Sequence, residues 1–115
     1  MDSSTPGERL AVIFKAYSIA RDQQDNDIAL ADSDQEADAV RSNLASLQLA
    51  YLRAERSQLE ANGAAVESAY QAAESATDDV EHAYRSGAAL ADRIRAVSGA
   101  VTAVASLAAK ASALA

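Results

Sequence analysis

The apolar positions of the second half of the chain form one unbroken series. Val66, Ala69, Ala73, Ala76, Val80, Ala83, Gly87, Leu90, Ile94, Val97, Val101, Val104, Ala108, Ala111 and Ala115 follow at alternating steps of three and four. Residues so spaced share one face of an α-helix, so the pattern predicts helix throughout. Tyr70, Thr77, Tyr84 and Ala91 widen the series into a core-facing stripe, and Glu67, Glu74 and Glu81 recur at sevens on an outer face. The stripe mixes Ala and Gly with Val, Ile and Leu, and small side chains let helix axes approach closely.

Whether this half is one helix or two depends on Ser86-Gly87. A turn there splits it into helices over about 64–86 and 88–114, giving four helices of similar length. Against a turn, the stripe passes through Gly87 in phase and no strong N-cap follows. The alternative is a single helix of about 50 residues, roughly 75 Å long, which would need a partner to cover it.

The first half opens with Thr5-Pro6-Gly7-Glu8, a capping box with Pro at the first helical position. Leu10, Ile13, Tyr17 and Ala20 follow on one face, and Val12, Phe14 and Ile19 extend the apolar surface round most of the helix, which predicts a well-buried segment. The pattern fades after Arg21. From Asp22 to Asp38 the chain is acidic with no intervening base, and reads as a polar interruption. Ser33-Asp34-Gln35-Glu36 is a second capping box, placing the next helix start at Asp32 or Ser33. That helix carries Ala37, Val40, Leu44, Leu47, Tyr51 and Ala54, and should run to about Ala61, ended by Asn62-Gly63. Its stripe extrapolates to Ala65 and Ser68, one residue out of phase with Val66 and Ala69, as an intervening turn requires.

The expected fold is all-α: a single antiparallel bundle, with four helices, or three with one long C-terminal helix. Composition qualifies this picture. About a quarter of the 115 residues are Ala, and Leu, Ile, Val and Phe make up only about a fifth. So few large side chains suggest that the bundle needs another copy or a partner to bury enough surface. A net charge of −7 opposes nucleic-acid binding and suits a basic protein partner. With no Cys, disulfides, thiolate metal sites and a cysteine nucleophile are excluded. The opening residues lack a basic region followed by an apolar run, so no signal peptide and a cytoplasmic location are expected.

No motif specifies catalysis, a metal or a cofactor, and none of these is expected. Asp25 to Glu36 has the length and some of the acids of a calcium EF-hand loop, but Leu30 occupies the position that needs Gly. Asp79-x-x-His82 is half of a di-iron pattern, but His82 is the sole histidine and falls on the outward side with Asp78. Tyr70-Gln71-Ala72-Ala73-Glu74 resembles the Y-x-x-x-D/E motif of secreted helical hairpins of the WXG type. The chain has no Trp for that family's Trp-x-Gly turn, and an i,i+4 pair explains the match equally well. Ala96 to Ala109 is uncharged but shorter than the roughly 20 residues of a membrane span, and reads as a buried helix.

The surface carries the remaining signals. Leu49, Leu52 and Leu59 lie off the main stripe of the second helix and with Ala45 form a second apolar strip. The expectation is a homodimer burying them, with Arg53 or Arg56 paired to acids of the mate. The favoured function is a structural or interaction module acting by self-association. The alternative is an antitoxin- or immunity-type inhibitor that covers a basic partner with Asp25, Asp27, Asp32 and Asp34.

Overall fold

The computed structural model describes residues 3–112, which fold into α1 (Pro6–Leu30), α2 (Asp34–Ser57), α3 (Ala64–Arg85) and α4 (Leu90–Ala111). Ala115, the last of the apolar series, lies outside the described residues. The α1 start is the expected capping box: the Glu8 amide donates to the Thr5 hydroxyl at 3.1 Å, and Glu8 accepts from the Thr5 amide at 2.9 Å. Such a cap stabilises a helix by about 1 kcal/mol. Ser33 caps α2 in a variant form, accepting from the Glu36 amide while Glu36 reaches one residue further back to the Asp32 amide.

Gly87 is a turn, so the four-helix arrangement holds and the single long helix does not. It sits at φ +70°, with its amide on Tyr84 O and the Ala88 amide on Ala83 O, the two bonds of a Schellman ending. Keeping the stripe in phase through a turn is compatible with this ending, because α4 buries Val97, Val104, Ala108 and Ala111 of the series but is rotated away from the rest. Its fully buried positions include Ala100 and Leu107, which the series omits, whereas Leu90, Ile94 and Val101 are only half-buried.

Two boundaries differ from expectation. α1 runs on to Leu30, so the acidic stretch is mostly helix and only residues 31–33 connect it to α2. Asp27 drives the extension: it lies on the buried side of α1 and finds partners on α3 and α4. α2 stops at Ser57, four residues before the expected end. Gln58 and Leu59 both take left-handed conformations, φ 65° and 56°, and this swings the Leu59 side chain into the core. Gly63 is then the N-cap of α3, at φ +130°.

Successive helices run antiparallel, but the packing order is not the chain order. α2 packs on α1 and α4, and α3 packs on α4 and α1, so α2 and α3 occupy opposite corners of a body 43 × 25 × 18 Å. The link 58–63 crosses one end of the bundle. There Arg9 is wholly buried and every donor direction of its guanidinium is met. Its Nε donates to Ser4 Oγ at 2.8 Å, and one terminal nitrogen donates to Leu59 O at 2.7 Å and Ala61 O at 2.8 Å. The other terminal nitrogen donates to Ser4 O, Asn62 Oδ1 and Glu67 Oε2, the last at 3.0 Å. The Ala61 amide in turn donates to Ala111 O, tying in the end of α4. Glu67 therefore faces α1, not an outer surface.

The core is small-chained. Ala16, Ala20, Ala50, Ala54, Ala69, Ala73, Ala100, Ala108 and Ala111 are buried between Ile13, Leu47, Leu59, Val66, Val80, Val104 and Leu107. Phe14, expected inside, is 40% exposed and packs edge-on to Tyr17, while Tyr17 stacks on Tyr51 at 5.6 Å on the α1–α2 surface.

Glycine substitutions should separate the two kinds of position. Gly87→Ala meets no steric contact but is held at positive φ, so it should cost about 1 kcal/mol. Gly99→Ala, inside α4 with open space around it, should gain up to about 1 kcal/mol. Opposite shifts in melting temperature check both. Glu67 supplies a pH dependence. The Ser4 amide bond, then the Ser4 hydroxyl and Arg9, hold its carboxyl below the ordinary range, outweighing partial desolvation. A carboxyl depressed in the folded state stabilises above its unfolded value, and that stability is lost as pH falls through the folded value. Melting temperature should therefore decline from about pH 4.5 downward, and Glu67→Gln should flatten that decline.

Candidate interaction surface

α2 is a corner helix, and its outward side carries the residues expected to form an interface. Leu49 and Leu52 are 49% and 50% exposed, on adjoining turns of the same ridge. Arg53 and Arg56 are exposed beside them. Leu59 is not on this surface: its left-handed backbone turns it inward, and it is 1% exposed. On one side of the ridge a groove of about 430 Å³ runs between α2 and α4, walled by Ser46, Leu49, Ala50, Arg53, Arg56 and Ser57 and by Val101, Ala105, Ala108, Ala109 and Ser112. On the other side lies the Phe14–Tyr51 cluster, with ring centroids 5.1 Å apart.

The charges on this surface are unusual for the molecule. Seven of the ten basic side chains are in ion pairs: Arg9, Lys15, Arg21, Arg41, Arg85, Arg93 and Arg95. Among the described residues, Arg53, Arg56 and Lys110 have no such partner, and all three lie in the C-terminal parts of α2 and α4. The floor beside the two arginines is Ala and Val, so the groove joins an apolar wall to two free guanidiniums. Arg is enriched at the centres of protein interfaces because one side chain offers both apolar stem and directed donors.

The proposed acidic surface is only partly formed. Asp25, Asp32 and Asp34 are exposed near the α1–α2 connection, but Asp27 is 3% exposed and belongs to the interior. Tyr84 OH donates a short hydrogen bond to Asp27 Oδ2, and Arg93 donates to Oδ1 at 3.4 Å while its guanidinium stands 5.0 Å over the Tyr84 ring. Nearby, Asn43 donates to Ile94 O at 3.3 Å and links α2 to α4. This centre closes the end of the bundle opposite Arg9. Residues 25–30 being helical, the acids do not form a cation-binding loop of the EF-hand shape. His82 and Asp78 are exposed, and Tyr70 OH donates to Glu74 at 3.2 Å, the i,i+4 pair. α4 is long and apolar enough to cross a membrane by length and composition, but here it packs against α3 and α2.

Arg9 belongs to no sequence motif, and Asp27 reads from the sequence as one acid of the partner-facing surface, although a signal for the burial of both exists. Arg9, Ile13, Ala16, Ala20 and Asp27 share the buried side of α1, so both charges terminate an apolar stripe.

Tyr84 gives a second pH limb. Burial first, then the hydrogen bond and charge of Asp27, push its hydroxyl well above the usual phenol range, with Arg93 opposing. At alkaline pH the folded chain keeps a proton that the unfolded chain loses, so stability present below about pH 10 declines above it. Tyr84→Phe should lower stability near neutrality by on the order of 1–2 kcal/mol and make the alkaline decline shallower, read by thermal melts across pH.

Compared with known protein families, with curated proteins and with solved structures, the chain matches none, and the chemistry of its surface is what points to a function.

Proposed function

We propose that this chain is a small helical interaction module that acts by self-association, with the outer ridge of α2 and its border with α4 as the working surface. One observation carries the reading. Leu49 and Leu52 are half exposed beside Arg53 and Arg56, the only unpaired guanidiniums among the described residues. Exposed apolar side chains grouped on one face favour an interaction site, and unmet donors next to them favour a partner bearing carboxylates. A chain with seventeen acids and ten bases is itself such a partner. Symmetric pairs of identical chains are the commonest soluble assemblies.

The reading also fits the thin core. With Ala at so many buried positions the bundle buries little area per residue, and covering α2's ridge with another copy would add to it at about 25 cal/mol for each Å² of apolar surface. Light scattering of the purified chain at tens of micromolar should give a dimer. Leu49→Glu with Leu52→Glu, both on the surface, should give a folded monomer by circular dichroism and the same measurement. A wild-type monomer at that concentration ends the reading.

A further inference from the structure

Seen along its axis, the exposed ridge of α2 has a two-fold pattern written into it. Asp38, Ser42, Ala45, Leu49, Leu52 and Arg56 are all exposed and follow at steps of four, three, four, three and four. They keep to one strip of the helix, because such steps return close to the same angle. The series reads the same in both directions about position 47. Its chemistry does not: an acid stands at one end, a base at the other, and apolar side chains between.

We propose that the self-association surface is an antiparallel pairing of α2 with α2 of a second copy, centred on position 47. The proposal rests on the self-association reading and adds its geometry. A second copy laid antiparallel on this strip places Asp38 against the mate's Arg56, Ser42 against Leu52 and Ala45 against Leu49, and the two-fold axis repeats each pair. This meets the condition of an isologous interface, that if one residue contacts a second, the second contacts the first. A small residue stands opposite each leucine, so the two ridges can interlock instead of colliding. A parallel pairing would set Arg56 against Arg56 and Asp38 against Asp38, and like charges face to face oppose assembly.

The existing contacts of the two charged ends do not compete strongly. Asp38 holds only Arg41, at 3.2 Å, with both side chains more than half exposed, and pairs of that kind contribute little. Arg56 has no ion pair at all among the described residues. Arg53, one residue off the strip, lines the α4 groove and reaches the same end of the mate.

Charge exchange tests the register. Asp38→Arg and Arg56→Asp, each alone, create like-charge contacts twice per dimer and should weaken association by about tenfold or more in sedimentation equilibrium at low salt. The two substitutions together restore opposite charges and should return affinity to within about threefold of wild type. Because the chain has no Cys, thiol cross-linking gives a second readout without background. Mixed chains carrying Ala45→Cys and Leu49→Cys should form the cross-species disulfide in preference to either same-species one. Dimers whose affinity ignores both single exchanges, or whose double exchange stays weak, overturn the antiparallel register while leaving self-association standing. A monomeric wild type removes both.

Discussion

A guanidinium taken fully out of water has to be met donor by donor, and the course of the chain between α2 and α3 follows from that requirement at Arg9. Two carbonyls of the link, Leu59 and Ala61, point at one of its nitrogens because Gln58 and Leu59 adopt left-handed conformations. Those conformations cost on the order of 1 kcal/mol each for residues bearing a Cβ. Charge-assisted bonds contribute more than that when made, and leaving Arg9 unmet in the interior would cost several kcal/mol. The crossing link, the inward turn of Leu59 and the placing of α2 and α3 at opposite corners are thus parts of one solution.

Asp27 closes the other end by the same logic, with opposite charge. Both groups sit on α1, one near each terminus of its buried stripe, so α1 is fastened to α3 at both ends, to the α2–α3 link at one and to α4 at the other. The exposed ion pairs, such as Lys15 with Glu81 and Arg95 with Asp92, are worth at most about 1 kcal/mol each and do not decide the arrangement. Between the polar ends the core is mainly Ala, which packs closely but specifies little by shape. Specificity in such a bundle falls to the few groups whose bonding must be satisfied.

Periodicity made the helices legible, because burying one face imposes a 3.6-residue repeat on the chain. Capping chemistry located the starts of α1 and α2, since Thr5 and Ser33 act through neighbours a few residues away. What lay beyond reach were features set by distant partners. Asp27 looks like one more acid of a polar stretch until Tyr84 and Arg93 are brought to it, and Leu59 looks like part of a surface strip until the backbone turns left-handed before Asn62-Gly63. Leu49, Leu52, Arg53 and Arg56 were readable as surface because they remain on a regular helix, where angle follows from number. The core face of α4 keeps Val97, Val104, Ala108 and Ala111 of the apolar series but is turned part of the way round to take in Ala100 and Leu107, because a turn resets the angular origin even when the spacing survives.

The uneven pairing of charges has an electrical consequence. Acids from Asp22 to Asp38 crowd the end where α1 meets α2, while the unpaired Arg53, Arg56 and Lys110 stand at the far end of a body 43 Å long. Such a molecule carries a permanent dipole along its length, superimposed on its net negative charge. In the proposed pairing, net charge opposes the approach of two copies at long range, whereas the dipoles of two copies lying side by side favour the antiparallel alignment. With a screening length of about 8 Å at physiological salt, this torque acts only in the final approach, when the long sides already face each other. In the proposed pairing, added salt would therefore weaken both this torque and the charge contacts that it lines up.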